Sequence, residues 1–217
     1  MALSTVLFGR LRNGGATDGT ETALRTNERA DLLTAQGMLP KAELTRGGNG
    51  WNVMTSTAAA PIAAVPTTTA RLELFNPLAS TVDLVIDDLY AFQLLSTAAT
   101  QTYAVWAMVT TTKAAPTAAA LVIASRSGKD PVTGATGSFV VPAVDTTVVA
   151  NGWRPYGPVQ AWGTAAATPG NSLVAPVNGA LIVPPGSSLC VAVAGSIATA
   201  SSFQVGVGFY TAALSLE

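Results

Sequence analysis

Residues 81–95, TVDLVIDDLYAFQLL, contain the pattern that decides the fold. Apolar residues occupy alternate positions in the first half of this segment, at Val82, Leu84 and Ile86. Asp83 lies between Val82 and Leu84, and Asp87 follows Ile86. Because side chains of a β-strand alternate between its two faces, both carboxylates lie on the face opposite the apolar side chains. Asp88 follows Asp87 directly and breaks the alternation, which predicts a β-bulge or bend at this point.

The same β pattern extends from this segment in both directions. Residues 71–75, RLELF, alternate and end at the turn Asn76-Pro77, and residues 101–110 alternate again. Further short apolar or β-branched runs occupy residues 119–125, 139–141, 146–149, 159–162, 181–183, 189–194 and 203–213. Residues 161–178 are rich in Ala, Thr, Pro and Gly, and this composition predicts a surface loop.

The number of these runs and their connections define the fold class. About eight to ten strands without intervening helices predict an all-β sandwich or barrel. Corners such as Pro184-Pro185-Gly186 and the long loops favour a jelly-roll-like antiparallel β-sandwich. Periodicity along the chain does not supply the order of the strands in the sheets.

Charged side chains divide the chain near residue 50. Residues 1–50 contain 11 of them, and the rest of the chain contains only 12. We therefore predict an extended N-terminal arm, residues 1–50, and a β-sandwich body, residues 51–217. Within the arm, residues 26–37 are predicted to form a short helix, because Thr26 or Asn27 can cap its beginning and Gly37 can end it. A helix of this length is marginal alone and must dock on another surface.

The composition excludes several classes of chemistry. The chain has no histidine, one cysteine, Cys190, and a net charge of −1. We therefore expect no zinc or copper site, no cofactor and no nucleic-acid partner. No apolar stretch approaches the roughly 20 residues of a membrane span, and the first residues lack the features of a signal peptide. We also expect that the protein is synthesised in a cytoplasm and that it has no enzymatic activity.

The acidic residues Asp83, Asp87, Asp88 and Glu73 form the densest carboxylate set of the predicted body. A solvated outer face, on which acids discourage stray strand pairing, is the simplest interpretation. A hard cation or a pair of carboxylates for glycoside hydrolysis are the alternatives.

One aromatic cluster stands out in the second half of the body, and it consists of Trp153, Arg154, Tyr156 and Trp162. The segment around it, residues 151–158, is stiffened by two prolines and is predicted to be a loop. Aromatic rings with an arginine suit a protein interface or a platform for a sugar. The rings could equally close one end of the sandwich core.

Three segments together resemble one class of protein. They are residues 29–44, RADLLTAQGMLPKAEL; residues 66–77 continuing to 84–91, PTTTARLELFNP and LVIDDLYA; and residues 181–193, LIVPPGSSLCVAV. The combination resembles virion proteins of tailed bacteriophages, in particular capsid decoration (cement) proteins with an N-terminal arm and a jelly-roll body. The resemblance implies a homotrimer on the outside of the capsid, with the major capsid protein as partner, and it carries over no catalytic residue.

In this interpretation the arm holds neighbouring shell subunits together. Its apolar side chains are predicted to lie across them, and these are Leu24, Ala30, Leu32, Leu33, Met38 and Leu39. The aromatic cluster is a second predicted contact with the capsid or with another subunit. The alternative functions are a tail or head-fibre protein that binds a host-surface glycan at the aromatic cluster, and a hydrolase that uses Asp83, Asp87 or Glu73.

Overall fold

The computed structural model describes residues 40–95, 101–111, 116, 121–128, 132–133, 141–144, 152–162, 172–196 and 201–213. The predicted helix at residues 26–37, the strand at residues 146–149 and the predicted contact residues of the arm lie outside these ranges. Those contact residues are Leu24, Ala30, Leu32, Leu33, Met38 and Leu39. Residues 40–217 form one compact unit, which therefore includes residues 40–50 of the predicted arm.

The described residues contain one short helix, α1, and eleven strands. They are α1 (Pro40–Arg46), β1 (Gly50–Met54), β2 (Leu72–Asn76), β3 (Val82–Leu95), β4 (Gln101–Thr111), β5 (Val122–Ser125), β6 (Val132–Thr133), β7 (Val141–Val144), β8 (Arg154–Trp162), β9 (Ser172–Val183), β10 (Ser187–Gly195) and β11 (Ser202–Ala213). Pro40 suits the first turn of α1, because that position needs no amide hydrogen. The amide of Gly48 donates to the carbonyl of Thr45 at 2.9 Å and ends the helix.

The strands form two antiparallel sheets, so the predicted all-β sandwich is confirmed. The six-stranded sheet has the order β6-β5-β1-β11-β3-β9, and the five-stranded sheet has the order β7-β2-β10-β4-β8. Strands β5, β6 and β7 form an insertion between β4 and β8. In the remaining eight strands the first pairs with the last, the second with the next to last, the third with the sixth and the fourth with the fifth. This nested pairing is the jelly-roll arrangement of two Greek keys.

The core lies between the two sheets and uses the alternation that the sequence displays. Leu84, Ile86 and Leu89 of β3 are fully buried, and they belong to the same core cluster as Leu189 and Val191 of β10 in the other sheet. The predicted bulge is confirmed, because the pairing of β3 with β9 shifts register between Ile86 and Asp88. The extra residue keeps Ile86 and Leu89 both in the core although they are three positions apart.

One prediction about a loop is wrong. Residues 172–178, which the composition assigned to a surface loop, are the first part of β9. Leu173, Ala175 and Val177 alternate as buried side chains there. Pro176 is tolerated because β9 is the last strand of its sheet, and an edge strand does not need every amide hydrogen. The small side chains and the proline give this segment the composition of a loop, and its alternation was therefore missed.

Candidate functional site

An ionic network, the Arg126 cluster, occupies the outer face of the six-stranded sheet. It consists of Arg126, Asp87, Asp88, Lys41, Asn52 and Tyr210. The guanidinium of Arg126 donates from Nη1 to Asp87 Oδ2 at 2.8 Å, from Nη2 to Asp88 Oδ1 at 3.1 Å, and from Nε to Asn52 Oδ1 at 2.9 Å. Nη1 also donates to the hydroxyl of Tyr210 at 3.2 Å. Because Arg126 directly follows β5, one side chain joins that strand to β1, β3 and β11.

Lys41 extends the Arg126 cluster to the helix. Its ammonium forms an ion pair with Asp87 and donates to Asn178 Oδ1 on β9 at 2.8 Å. At the other end of α1, the hydroxyls of Thr45 and Tyr210 are 3.4 Å apart. The helix therefore lies across β3, β9 and β11 and is held at both ends.

Asp87 is the central acid of the network and is only 8% exposed. Burial alone raises the pKa of this carboxyl, but hydrogen bonds from Lys41 and Arg126, together with their positive charges, outweigh burial and hold the pKa below its ordinary value. Asp87 is therefore ionised at neutral pH and paired with two cations. The interpretation of Asp87 as part of a solvated acidic face is wrong for this residue.

Two glycines of β11 make room for this arrangement. A Cβ on Gly208 would lie 1.8 Å from Arg126 Nη2 and 1.9 Å from Asp88 Oδ1. A Cβ on Gly206 would lie 2.2 Å from Cε2 of Tyr90. The absence of side chains at these two positions lets the Arg126–Asp88 pair and the Tyr90 ring lie directly on the backbone of the sheet.

Next to the Arg126 cluster is an apolar patch on the same outer face. It consists of Val122, Met54, Tyr90, Phe92 and Val174. Met54 is paired with Gly206, Gly206 with Tyr90, and Tyr90 with Val174. The register of β5 against β1, continued by one residue, places Val122 beside Met54. The patch therefore crosses five adjacent strands, and four of its five side chains are exposed.

The predicted aromatic cluster is divided between the two ends of β8, with Trp162 at the far end. The loop predicted for residues 151–158 is wrong from Arg154 onward, because β8 begins there. The half-buried Trp153 donates from Nε1 to the carbonyl of Thr67 at 2.8 Å. Its ring packs on the small cluster formed by Ala70, Met108 and Cys190.

Tyr156 and Arg154 differ in their exposure. Tyr156 is half-buried and packs against the main core, whereas Arg154 is exposed. The side chain of Trp162 lies outside the described part of the structure. Arg154 and the uncovered part of Trp153 thus remain accessible at the edge of the five-stranded sheet.

The carboxylates do not form the site that their density suggested. Glu73 is buried on β2 in the five-stranded sheet, whereas Asp83, Asp87 and Asp88 belong to β3 in the other sheet. Among the residues that the structure describes, no three Cys, Asp or Glu side chains are grouped so that they could hold a metal ion.

Two further features bear on chemistry. Cys190 is fully buried. Its burial and, to a smaller extent, the nearby charge of Glu73 raise the pKa of its thiol far above the ordinary range. A shallow cavity of about 270 Å³ opens beside Val65, Tyr103, Val159 and Gly195. The described residues that line this cavity include no acid and no base. Cys190 is therefore a buried thiol whose reactive thiolate is disfavoured, and the described lining of the cavity places no base beside a nucleophile.

Sequence reasoning missed Arg126, which organises the charged part of the outer face. Two signals were available, since Arg126 directly follows the predicted strand at residues 119–125, and adjacent acids mark the bulge of β3. Neither signal identifies the pair, because Arg126 and Asp87 are 39 positions apart.

Comparisons of the chain with protein-family models, with curated proteins and with solved structures gave no match. Within the described ranges, no helix has the length and apolar character needed to cross a membrane.

Proposed function

We propose that this protein is a structural virion protein, a capsid decoration (cement) protein that binds the outer capsid shell and stabilises the major capsid subunits. It acts as a homo-oligomer, a homotrimer in the family that the sequence resembles, and has no enzymatic role. Its location is the capsid surface, after synthesis in the host cytoplasm.

The observation that carries this proposal is a jelly-roll body in which the charged groups of the Arg126 cluster are paired with one another. On the outer face Lys41 and Arg126 neutralise Asp87 and Asp88, and the single thiol is buried. A body of this kind offers rigid surfaces for packing and little for catalysis. The sequence adds an arm whose apolar residues, such as Leu32 and Leu33, can contribute area to a contact with a partner.

The proposal is tested on shells assembled from the major capsid protein of the same genome. Purified protein is added to shells that lack it, and binding and the melting temperature of the shells are measured. We expect saturable binding and a higher melting temperature, because a ligand that binds only the assembled shell stabilises it. A shell that neither binds the protein nor changes its melting temperature would contradict the proposal.

The role of the arm is tested with a matched pair of variants. Leu32→Ser combined with Leu33→Ser removes apolar area from the arm, and Leu78→Ser removes an exposed leucine from the turn after β2. We expect the arm variant to bind shells at least tenfold more weakly and the Leu78 variant to bind like the unchanged protein. Equal binding by all three proteins would remove the arm from the proposal.

A tail or head-fibre protein that binds a host-surface glycan is the second candidate. The observation that favours it is the accessible Arg154 beside the fixed indole of Trp153 at the beginning of β8. A glycan screen tests this candidate, with Arg154→Ala as the variant because its exposed side chain contributes little to the core. Saccharide binding that is lost in Arg154→Ala would favour the fibre protein over the cement protein.

A further inference from the structure

The apolar patch is exposed to solvent on a strand-rich body that has few charged side chains. Val122 and Val174 are 51% and 52% exposed, and they lie at opposite ends of the patch. Met54 and Phe92 are exposed between them. Monomeric proteins rarely expose contiguous apolar areas larger than a few hundred Å², and such areas mark surfaces that bind another molecule.

The patch has the low relief that flat packing requires. Tyr90 lies over Gly206, where a Cβ would meet its ring at 2.2 Å, and its hydroxyl donates to the carbonyl of Val53 at 3.3 Å. The ring is therefore laid along the sheet instead of projecting from it. A surface of this shape fits another flat sheet better than it fits a groove-seeking helix.

The size of the patch fits a second copy of this chain. Five strands about 4.8 Å apart give a width of about 19 Å, and the seven steps of about 3.3 Å from Asp88, at the border of the patch, to Leu95, at the end of β3, give a length of about 23 Å. Two such faces in contact would bury about 900 Å², near the lower limit of about 1,000 Å² for a specific interface. The predicted association is therefore reversible and depends on concentration.

The charges beside the patch also permit self-association. The cations Lys41 and Arg126 are paired with the anions Asp87 and Asp88 within one network. The border of the patch therefore has no net charge, and two identical faces can approach each other without the repulsion that like charges produce.

We propose that the apolar patch on the outer face of the six-stranded sheet is the surface on which a second copy of this chain packs. The inference rests on the proposed function only for self-association, and it concerns a two-fold contact between identical faces, which differs from the three-fold contact within a homotrimer.

The test is sedimentation equilibrium of the full chain over a wide concentration range. The variants are Val174→Glu on β9 and Val122→Glu on β5, which place a charge at either end of the patch. Val159→Glu on β8 is the matched control, because Val159 is 64% exposed but belongs to the other sheet. Far-UV circular dichroism and urea unfolding establish that each variant is folded.

We expect the unchanged protein and Val159→Glu to associate alike, and each patch variant to associate at least tenfold more weakly. A monomer at every concentration, or folded patch variants that associate as well as the control, would overturn the inference. Shell binding is measured separately on the same proteins. Association through the patch without any shell binding would refute the proposed function and leave this inference standing.

Discussion

Replacing Asp87 with Asn removes the carboxylate that joins Lys41 on the helix to Arg126 beside β5. The structure indicates how much each contact contributes. Arg126 Nη1 lies 2.8 Å from Asp87 Oδ2, and these side chains are 18% and 10% exposed. A hydrogen bond to a charged group in such a setting contributes about 1.5–3 kcal/mol. Lys41 is 54% exposed, so its ion pair contributes only about 0.2–1 kcal/mol.

The Asn side chain still offers Arg126 a neutral hydrogen-bond acceptor. The loss of stability should therefore be smaller than the sum of the contributions from Arg126 and Lys41. We expect Asp87→Asn to lower the free energy of unfolding by about 2 kcal/mol at pH 7. Asp88→Asn is the matched control, because Asp88 accepts from the same guanidinium at 3.1 Å but is 34% exposed. Its loss should remain below about 1 kcal/mol.

The dependence on pH provides an independent check. The pKa of Asp87 is lowered in the folded protein from an ordinary value of 3.8, so the unfolded chain binds the proton more readily. The carboxylate therefore stabilises the fold fully above the unfolded pKa, and this contribution is lost as the pH falls through the lower folded pKa. The difference between the unchanged protein and Asp87→Asn should shrink below about pH 4.

The assay is urea unfolding at pH 7 and at pH 2, at one fixed protein concentration because self-association would shift the midpoint. With a slope of about 2 kcal/mol per molar urea, a loss of about 2 kcal/mol lowers the midpoint by about 1 M. The reasoning fails if Asp87→Asn is no more destabilising than Asp88→Asn at pH 7. It also fails if the full difference persists at pH 2.

Three other predictions concern the packing of the sandwich. Gly206→Ala should destabilise the fold by about 1–3 kcal/mol, because the added methyl group displaces the Tyr90 ring; an unchanged urea midpoint would contradict this. Leu189→Ala should lower the free energy of unfolding by about 2–5 kcal/mol, because Leu189 is fully buried between the sheets. A loss below about 1 kcal/mol in the same assay would contradict this and would mean that neighbouring side chains fill the space. Cys190 should not react with a thiol reagent at pH 8 in the folded protein and should react fully in denaturant, so rapid labelling without denaturant would contradict its burial.

Several elements of the fold were predictable because their signals are local. The alternation around Leu84 and Ile86 identified β3 and its buried face. The second of two adjacent acids, Asp88, marked the bulge, since an extra residue in a strand shifts the face of every residue after it. Local signals failed at residues 172–178, where Pro176 and small side chains concealed an edge strand.

The candidate site was less predictable than the fold. Asp87 and Asp88 stood out in the sequence, but neither their burial nor their partner did. Arg126 reaches Asp87 across β1 and β11, because the inserted strand β5 pairs with β1 in the same sheet as β3. The apolar patch likewise draws its side chains from β1, β3, β5 and β9. Such clusters depend on the order of the strands, which no pattern along the chain supplies.

By itself, the sequence determined that this chain forms antiparallel strands with one buried face, a polar first segment and few reactive groups. These properties follow from the identity and spacing of neighbouring residues. Only the tertiary structure decided that Gly50 pairs with Tyr210, that the charges of the outer face neutralise one another, and that the apolar patch is continuous. The physical reason is that side-chain alternation repeats every two residues, whereas strand pairing joins positions far apart in the chain and depends on the packing of the whole sandwich.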